Sequence, residues 1–337
     1  MILQDVRSFA EGVWVGCNDT ARTIHSAITG EAIARAGNDK LDVAGMLEYA
    51  KNVGGKKLRE TSFHTRAKIL KAIAQSLNAQ KKALYDISFS TGATQKDHLI
   101  DIDGGIGALF AYCSMARRDL PNSNIYLDGQ VELLSRNGTF LGQHVCTSLQ
   151  GVAIHVNAFN FPVWGMLEKL APAFLAGVPA IIKPATATSH VTELCVRIIL
   201  DSGLLPEGAL QLVSGRLGDM LDHLTSQDIV SFTGSADTAL LLRSHPKILR
   251  NATRFIAEQD SLNASILGPD AVLGTVEFDL FTKEVLREIT TKAGQKCTAI
   301  RRILVSEHQI EPVIERLKTE LSKVITGDPR LESTGMG

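Results

Sequence analysis

Hydrophobic spacing divides the chain into stretches of different texture. Beyond about residue 63 the apolar positions fall at helical intervals: Ile69, Ile73 and Leu77 recur every fourth residue, with Lys68, Lys71 and Gln75 between them. That spacing draws one apolar stripe along an amphipathic helix lying on a larger body. It predicts a first third that is mainly helical, with a further helix from about Ile100 to Arg117 through Gly104 and Gly105. Between Ile125 and Ser148 the texture changes to two extended runs, Ile125–Leu134 and Thr139–Thr147, joined at Arg136-Asn137-Gly138. Asn and Gly both tolerate positive φ, so this pair between two strand-like runs predicts a long hairpin that projects as an arm or interface.

Beyond residue 150, short apolar strands alternate with helix-length segments. The predicted strands are Gly151–Val156, Ala180–Lys183, Ala209–Ser214, Ile229–Thr233 and Arg254–Ala257. The predicted helices lie near Val163–Ala176, Ser189–Leu200, Leu217–Leu224 and Ser235–Ser244. Continuously apolar strands separated by helices imply an α/β fold with a parallel sheet covered on both faces. Ligands of such sheets bind beyond the carboxyl ends of the strands. Those ends bring Asn157–Pro162, Lys183–Thr188, Ser214–Gly218 and Gly234-Ser235 to one edge. A second α/β unit starts near Asn263, with a strand at Arg302–Ser306 and a helix carrying Ile310, Val313, Ile314, Leu317, Leu321 and Val324 on one face.

Composition narrows the field. At 337 residues the chain has room for two domains with their own cores. Lys plus Arg total 35 against 36 Asp plus Glu, without a basic stripe, which argues against nucleic acid or an anionic membrane as partner. The apolar run Leu170–Ile182 is broken by Pro172, Gly177 and Pro179 and falls short of the roughly 18 residues of a membrane span. The first residues show no charged-then-apolar signal-peptide pattern. Five cysteines without a CxxC pair suggest free thiols in a reducing cytoplasm, and nine histidines without HxxxH or HExxH spacing suggest no metal site.

Individual candidates for chemistry are ambiguous. Asn160, in Asn160-Phe161-Pro162, is a helix cap or a carboxamide donor to an oxyanion. Lys183 is a solvated strand end or a nucleotide-ribose ligand. Gly215 and Gly218 allow a tight turn or the close approach of a phosphate, and Thr233-Gly234-Ser235 caps a helix or holds a pyrophosphate. Glu258 is an exposed strand-end carboxylate or a base in a cleft. Cys297, in Gly294-Gln295-Lys296-Cys297-Thr298, is a small buried hydrophobe or a nucleophile whose neighbouring lysine favours the thiolate.

Taken in order, Phe159-Asn160-Phe161-Pro162, Lys183-Pro184-Ala185-Thr186, Phe232-Thr233-Gly234-Ser235, Glu258 and Gly294-Gln295-Lys296-Cys297 resemble the aldehyde dehydrogenase superfamily over essentially the whole chain. Longer segments, including Asp260-Ser-Leu-Asn263 and Lys292–Arg302, are similar to the dehydrogenase half of the bifunctional phenylacetate-degradation enzyme, with the benzoate-pathway dehydroadipyl-CoA semialdehyde dehydrogenase second. The resemblance implies a Rossmann-type nucleotide-binding domain from 1–124 and 149–258, an oligomerisation hairpin at 125–148, and the N-terminal part of a catalytic α/β domain at 259–337. It implies Cys297 as nucleophile, Glu258 as base and Asn160 as oxyanion donor. It places cofactor contacts at Asn157, Phe159, Lys183, Thr186, Gly215, Gly218, Thr233, Gly234 and Ser235. Lys169 also matches a family position, with a structural role expected.

Two departures from the family pattern carry meaning. Glu258-Gln259-Asp260-Ser261 stands where most members have Glu-Leu-Gly-Gly, and Thr186 stands where many NAD-using members have a glutamate. A small hydroxyl in place of a carboxylate removes repulsion against a 2′-phosphate, so the resemblance implies NADP in preference to NAD. The expected substrate is a small aldehyde, CoA-linked, and the expected assembly a homo-oligomer. Family members continue past the equivalent of Gly337, so the sequence reads as the front of a longer catalytic unit. A cysteine-dependent thioesterase or acyl-transferase, and a silent nucleotide-binding fragment, are the competing readings.

Overall fold

A computed structural model describes residues 3–17, 20–38 and 41–337. Its centre is a seven-stranded sheet built from β1 (Ser8–Ala10), β2 (Val13–Val15), β3 (Ala153–Val156), β4 (Ala180–Lys183), β5 (Leu210–Leu212), β6 (Ile229–Thr233) and β7 (Arg254–Glu258). The spatial order is β7-β6-β3-β4-β5-β1-β2, with β3 to β7 parallel and β1 and β2 antiparallel at one edge. From β3 the chain steps outward through β4 and β5, then returns to lay β6 and β7 on the other side of β3. The reversal opens a crevice between the carboxyl ends of β3 and β6.

Successive residues of a strand face opposite sides, and the core follows that alternation. Ile182 points to a layer made by α1 (Phe63–Ser88), α2 (Gly104–Asp119), α3 (Trp164–Leu175) and α4 (Ser189–Asp201), where it joins Leu70, Leu109, Leu167 and Val196. Ile181 points the other way, to Met46, Leu47, Val213 and Val230. Both faces of β3 to β5 are therefore dry, which is why those strands read as unbroken apolar runs. Helix α5 (Ala236–Arg243) follows β6 and is capped by Ser235, whose Oγ accepts from Thr238 N. A smaller unit pairs β8 (Asn263–Ile266) in parallel with β9 (Ile300–Leu304) beside α6 (Val276–Thr290) and α7 (Ile310–Leu321), around Phe278, Phe281, Val285 and Val313.

Several expectations need correction. The described residues up to 36 are not helical: they form Gln4–Val6, β1, β2, Arg22–His25 and Ala32–Ala36. Each strand is three to five residues long, too short for a clear period of two, although β1–β2 and Arg22–His25 with Ala32–Ala36 pair as local hairpins. Leu217–Leu224 contains only a 3₁₀ turn, Met220–His223, while a short helix at Pro246–Asn251 went unpredicted. The strand expected at Arg302–Ser306 is shifted to Ile300–Leu304. On α7 only Val313 is buried, Ile310 and Ile314 are exposed, and Val324 lies past the helix end.

The helix expected at Ile100–Arg117 begins earlier, at Gln95, and passes through a π-helical turn, Leu99–Asp103, before α2. As one element, Gln95–Asp119 has the length and apolar composition of a membrane span. Here Ile102, Ile106, Leu109, Cys113 and Ala116 are buried in the core layer with α1 and α3. The hairpin forms as expected, Tyr126–Leu133 against Leu141–Cys146 with Gly138 at φ +70. Among the described residues no other strand pairs with it, and Leu127, Val131, Leu133, Phe140 and Val145 are exposed.

Candidate active site

The crevice between β3 and β6 holds the candidate chemistry. A cavity of about 390 Å³ is lined by Asn160, Phe161, Trp164, Glu168, Glu258 and Cys297 among others. A second, of about 630 Å³, is lined by Phe159, Asn160, Thr233, Gly234, Ser235, Glu258 and Cys297. Asn160, Thr233, Glu258, Lys296 and Cys297 line both. The nucleophile, amide and acid candidates thus sit where two chambers meet, the first walled by aromatic rings and the second by the turn that opens α5.

Cys297 arrives on a strained loop. Lys292 and Ala293 adopt left-handed φ of 51° and 53°, followed by Gly294 at 73°. For non-glycine residues such a conformation costs about 1–2 kcal/mol each, so the surrounding bonds must hold it. Asp97 Oδ1 accepts from the Lys292 amide at 2.8 Å, and Asn160 Nδ2 donates to the Gln295 carbonyl at 2.8 Å. The Asn160 carboxamide keeps a second N–H, free for an oxyanion.

The unusual Gln259-Asp260-Ser261 segment ties these parts together. Ser261 Oγ donates to the Cys297 carbonyl. Asn263 Nδ2 donates to the same carbonyl at 2.7 Å and to that of Ala299 at 3.2 Å. Asp260 Oδ2 accepts from the Ala236 amide, at the N-terminus of α5, at 2.9 Å. Side chains that replace glycines here are therefore used to fasten the nucleophile loop and the helix end. The lysine beside the sulfur has another partner: Lys296 Nζ lies 2.7 Å from Glu288 Oε1, so most of its charge is already matched. Burial, and then the carboxylate of Glu258, push the Cys297 thiol above its ordinary range. Both effects hold the proton on the sulfur, and Cys297 and Glu258 line the same two cavities.

The remaining cofactor candidates spread along the strand ends. Asn157 is buried with both amide atoms unpaired, and its backbone N–H donates to the Lys183 carbonyl at 3.0 Å. Burial depresses the Lys183 ammonium pKa. Thr186 and Gly215 lie apart from Cys297, in a groove of about 250 Å³ shared with Arg22, Asn38 and Arg216. Gly215 has φ +147 and yields its side-chain space to Asn38, whose Oδ1 accepts from Arg216 N at 2.9 Å. Gly218 has φ +64 and open space around it, the signature of a turn. Arg216 escaped the sequence reading, although a basic residue set between Gly215 and Leu217 at a strand end was a usable signal. Asn38 was not legible, because it meets Arg216 from 178 positions away. Lys169 is packed, with Nζ 3.3 Å from both the Gly165 carbonyl and Glu168 Oε1.

The family model for the aldehyde dehydrogenase family matches residues 14–337. The chain belongs to the aldehyde dehydrogenase family. It is 42% identical over 331 residues to a 3,4-dehydroadipyl-CoA semialdehyde dehydrogenase of Aromatoleum evansii, covering 98% of this chain and 64% of that relative. It is 25% identical to a D-glyceraldehyde dehydrogenase (NADP(+)) of Thermoplasma acidophilum, again over 98% of this chain and 64% of the other. Among solved structures, betaine aldehyde dehydrogenase of Staphylococcus aureus with NAD+ aligns at TM-score 0.83 and 22% identity, covering 98% of this chain and 64% of that one. A 3,6-anhydro-L-galactose dehydrogenase bound to NADP aligns at TM-score 0.83 and 22% identity, covering 99% and 67%. The chain thus has the aldehyde dehydrogenase fold and spans a little under two thirds of the length of these two sequence relatives.

Proposed function

We propose that this aldehyde dehydrogenase oxidises a CoA-linked semialdehyde to the carboxylic acid with NADP, through a covalent bond to Cys297. The observation that carries the reading is the meeting of Cys297, Asn160 and Glu258 at the junction of two cavities. Of the two substrates suggested by resemblance, the relative at 42% identity favours dehydroadipyl-CoA semialdehyde over the ring-opened phenylacetate intermediate. The phenylacetate assignment therefore gives way to the benzoate-type one.

On this reading Glu258 takes the Cys297 thiol proton and Sγ adds to the aldehyde carbon. The free N–H of Asn160 and the Cys297 backbone amide hold the oxyanion, a donor of this kind contributing about 2.7–4 kcal/mol. NADP, when bound, supplies the hydride acceptor. With the thiol proton released from Glu258 to solvent, the carboxylate takes a proton from the water that attacks the thioester left on Cys297, and returns it to the sulfur as the C–S bond breaks and the acid leaves. The chain's own residues fit the cofactor. The groove with Thr186 and Arg216 lacks a carboxylate among its lining residues and offers a guanidinium to a 2′-phosphate. The α5 N-terminus suits a pyrophosphate once Asp260 releases it. We propose further that the exposed apolar hairpin joins copies of the chain, in a cytoplasm that keeps its five cysteines reduced.

The test is cofactor reduction, followed by absorbance, with a CoA-linked semialdehyde. Turnover should vanish in Cys297→Ala and favour NADP over NAD. Undiminished reduction in that variant would sink the assignment, and thioester cleavage without any nicotinamide would favour the hydrolase reading.

A further inference from the structure

Helix α3 begins in an awkward way. Pro162 has no N–H, Val163 stands at the cap position, and no side chain near the start of the helix caps it. The first amides of such a helix need an acceptor, and buried ones need it more. It comes from a distant residue. Asp101 Oδ1 accepts from Val163 N at 3.2 Å and Trp164 N at 2.8 Å, across more than sixty positions. Asp101 is 1% exposed, and its other oxygen, Oδ2, has no partner. It sits in the π-helical turn Leu99–Asp103, a departure from regular helix that tends to mark functional positions.

What Asp101 grips is the segment that begins with Asn160. Ile100 from the same turn and Trp164 from the gripped segment both line the smaller cavity. Gly105 clears the way: a Cβ there would lie 2.9 Å from Trp164 Cα. Four residues before Asp101, Asp97 is also buried and holds the Lys292 amide of the nucleophile loop. One helical element therefore touches both halves of the site, the oxyanion turn through Asp101 and the cysteine loop through Asp97. The halves meet directly at Asn160 Nδ2 and the Gln295 carbonyl.

We propose that Asp101 is a positioning residue that sets Asn160 against Cys297 by anchoring the Val163 and Trp164 amides. The proposal rests on the oxyanion role given to Asn160 above. It explains a carboxylate in the core with one oxygen doubly used and the other idle: the anchor needs one acceptor, reinforced by the positive end of α3. Asn at this position keeps that acceptor and replaces the idle oxygen with an amide.

The test uses acylation of Cys297 by p-nitrophenyl acetate in the full chain. The Sγ–C bond forms through a tetrahedral oxyanion and the bond to p-nitrophenolate breaks, with no cofactor involved. Peptide-resolved mass spectrometry gives the rate at Cys297, with exposed Cys146 as internal reference. Asn160→Ala should slow Cys297 acylation by about 10²-fold. Asp101→Leu should slow it by about 10-fold or more, Asp101→Asn should stay within about threefold of wild type, and Asp101→Leu with Asn160→Ala should be no slower than Asn160→Ala alone. A merely structural Asp101 would lower melting temperature without producing that non-additivity. If Asp101→Leu does not fold, Asp101→Ser, too short to reach both amides, takes its place. The proposal is overturned if either variant acylates Cys297 at the wild-type rate while Asn160→Ala is slow, or if the two effects multiply. An unaffected Asn160→Ala would remove the oxyanion reading and this inference together.

Discussion

Helix α2 offers a controlled comparison between helix propensity and packing. Replacing an interior helical glycine with alanine gains about 1 kcal/mol when nothing stands in the way. At exposed Gly107 a new Cβ meets nothing within 4 Å, so Gly107→Ala should stabilise the protein by up to that amount. At Gly105 the same methyl would lie 2.9 Å from Trp164 Cα, 3.1 Å from Trp164 N and 3.4 Å from Leu167 Cδ1. Two of those three are backbone atoms, so no rotamer relieves the clash and α2 must move away from α3. Overpacking of this kind costs about 1–3 kcal/mol, which cancels or exceeds the propensity gain. The two variants should therefore differ by about 1–3 kcal/mol in the sense that Gly105→Ala is the weaker. Urea unfolding followed by circular dichroism gives the midpoints. Cys297 acylation in the same samples reports whether the Asn160 turn has moved with Trp164. If Gly105→Ala proves as stable as Gly107→Ala, with acylation untouched, the reasoning about the α2–α3 contact is wrong.

Further expectations concern charge. Thr186→Glu brings a carboxylate beside Arg216 and should weaken NADP by about 10-fold or more while leaving NAD affinity unchanged or improved, as measured by calorimetry; equal losses for both cofactors would refute it. Glu258→Gln removes a charge that raises the Cys297 thiol, so the pH–rate curve for iodoacetamide alkylation should shift to lower pH; an unmoved curve would show that burial alone sets the thiol. Burial pushes the Asp101 carboxyl up to about 6 from 3.8, against the opposing pull of Lys292 and the two amides. A raised acid favours folding most below its unfolded value and loses that contribution as pH climbs through about 6, so the advantage of Asp101→Asn over wild type should be absent in acid and reach a few kcal/mol at neutral pH. Urea titrations at several pH values check it, and a gain that grew towards acid would reverse the sign.

The parts of the fold that could be read from the chain are those decided by local burial. Ala180–Lys183 ends where its apolar run ends because core clusters cover both of its faces, Ile182 joining one and Ile181 the other, and in Ile229–Thr233 the buried Val230 and Phe232 alternate with half-buried neighbours. The strands before residue 36 are only three to five residues long: β1–β2 and Arg22–His25 with Ala32–Ala36 are short local hairpins, and only Gln4–Val6 with Ala34–Ala36 and Phe9 with Leu212 reach farther along the chain. At the site, Asn160, Glu258 and Cys297 are ambiguous as single residues, and it is the ordered set of motifs resembling the family that singles them out. Asp101 and Asn38 are not singled out, since each acts on backbone groups far along the chain, and no spacing rule encodes such a contact. The outcome for Lys296 depended on Glu288, eight residues earlier across a strained turn, which again lies beyond periodicity.

Glu258 is the last residue of β7, and β7 is one border of the sheet, paired among the described residues with β6 alone. Along a border strand half the amides face outward, while the interior strands β3 and β4 are laced on both sides. Deuterium should consequently enter residues 254–258 well before residues 180–183. A base mounted on a border strand can shift its carboxylate between thiol and water without disturbing the interior strands that carry the core.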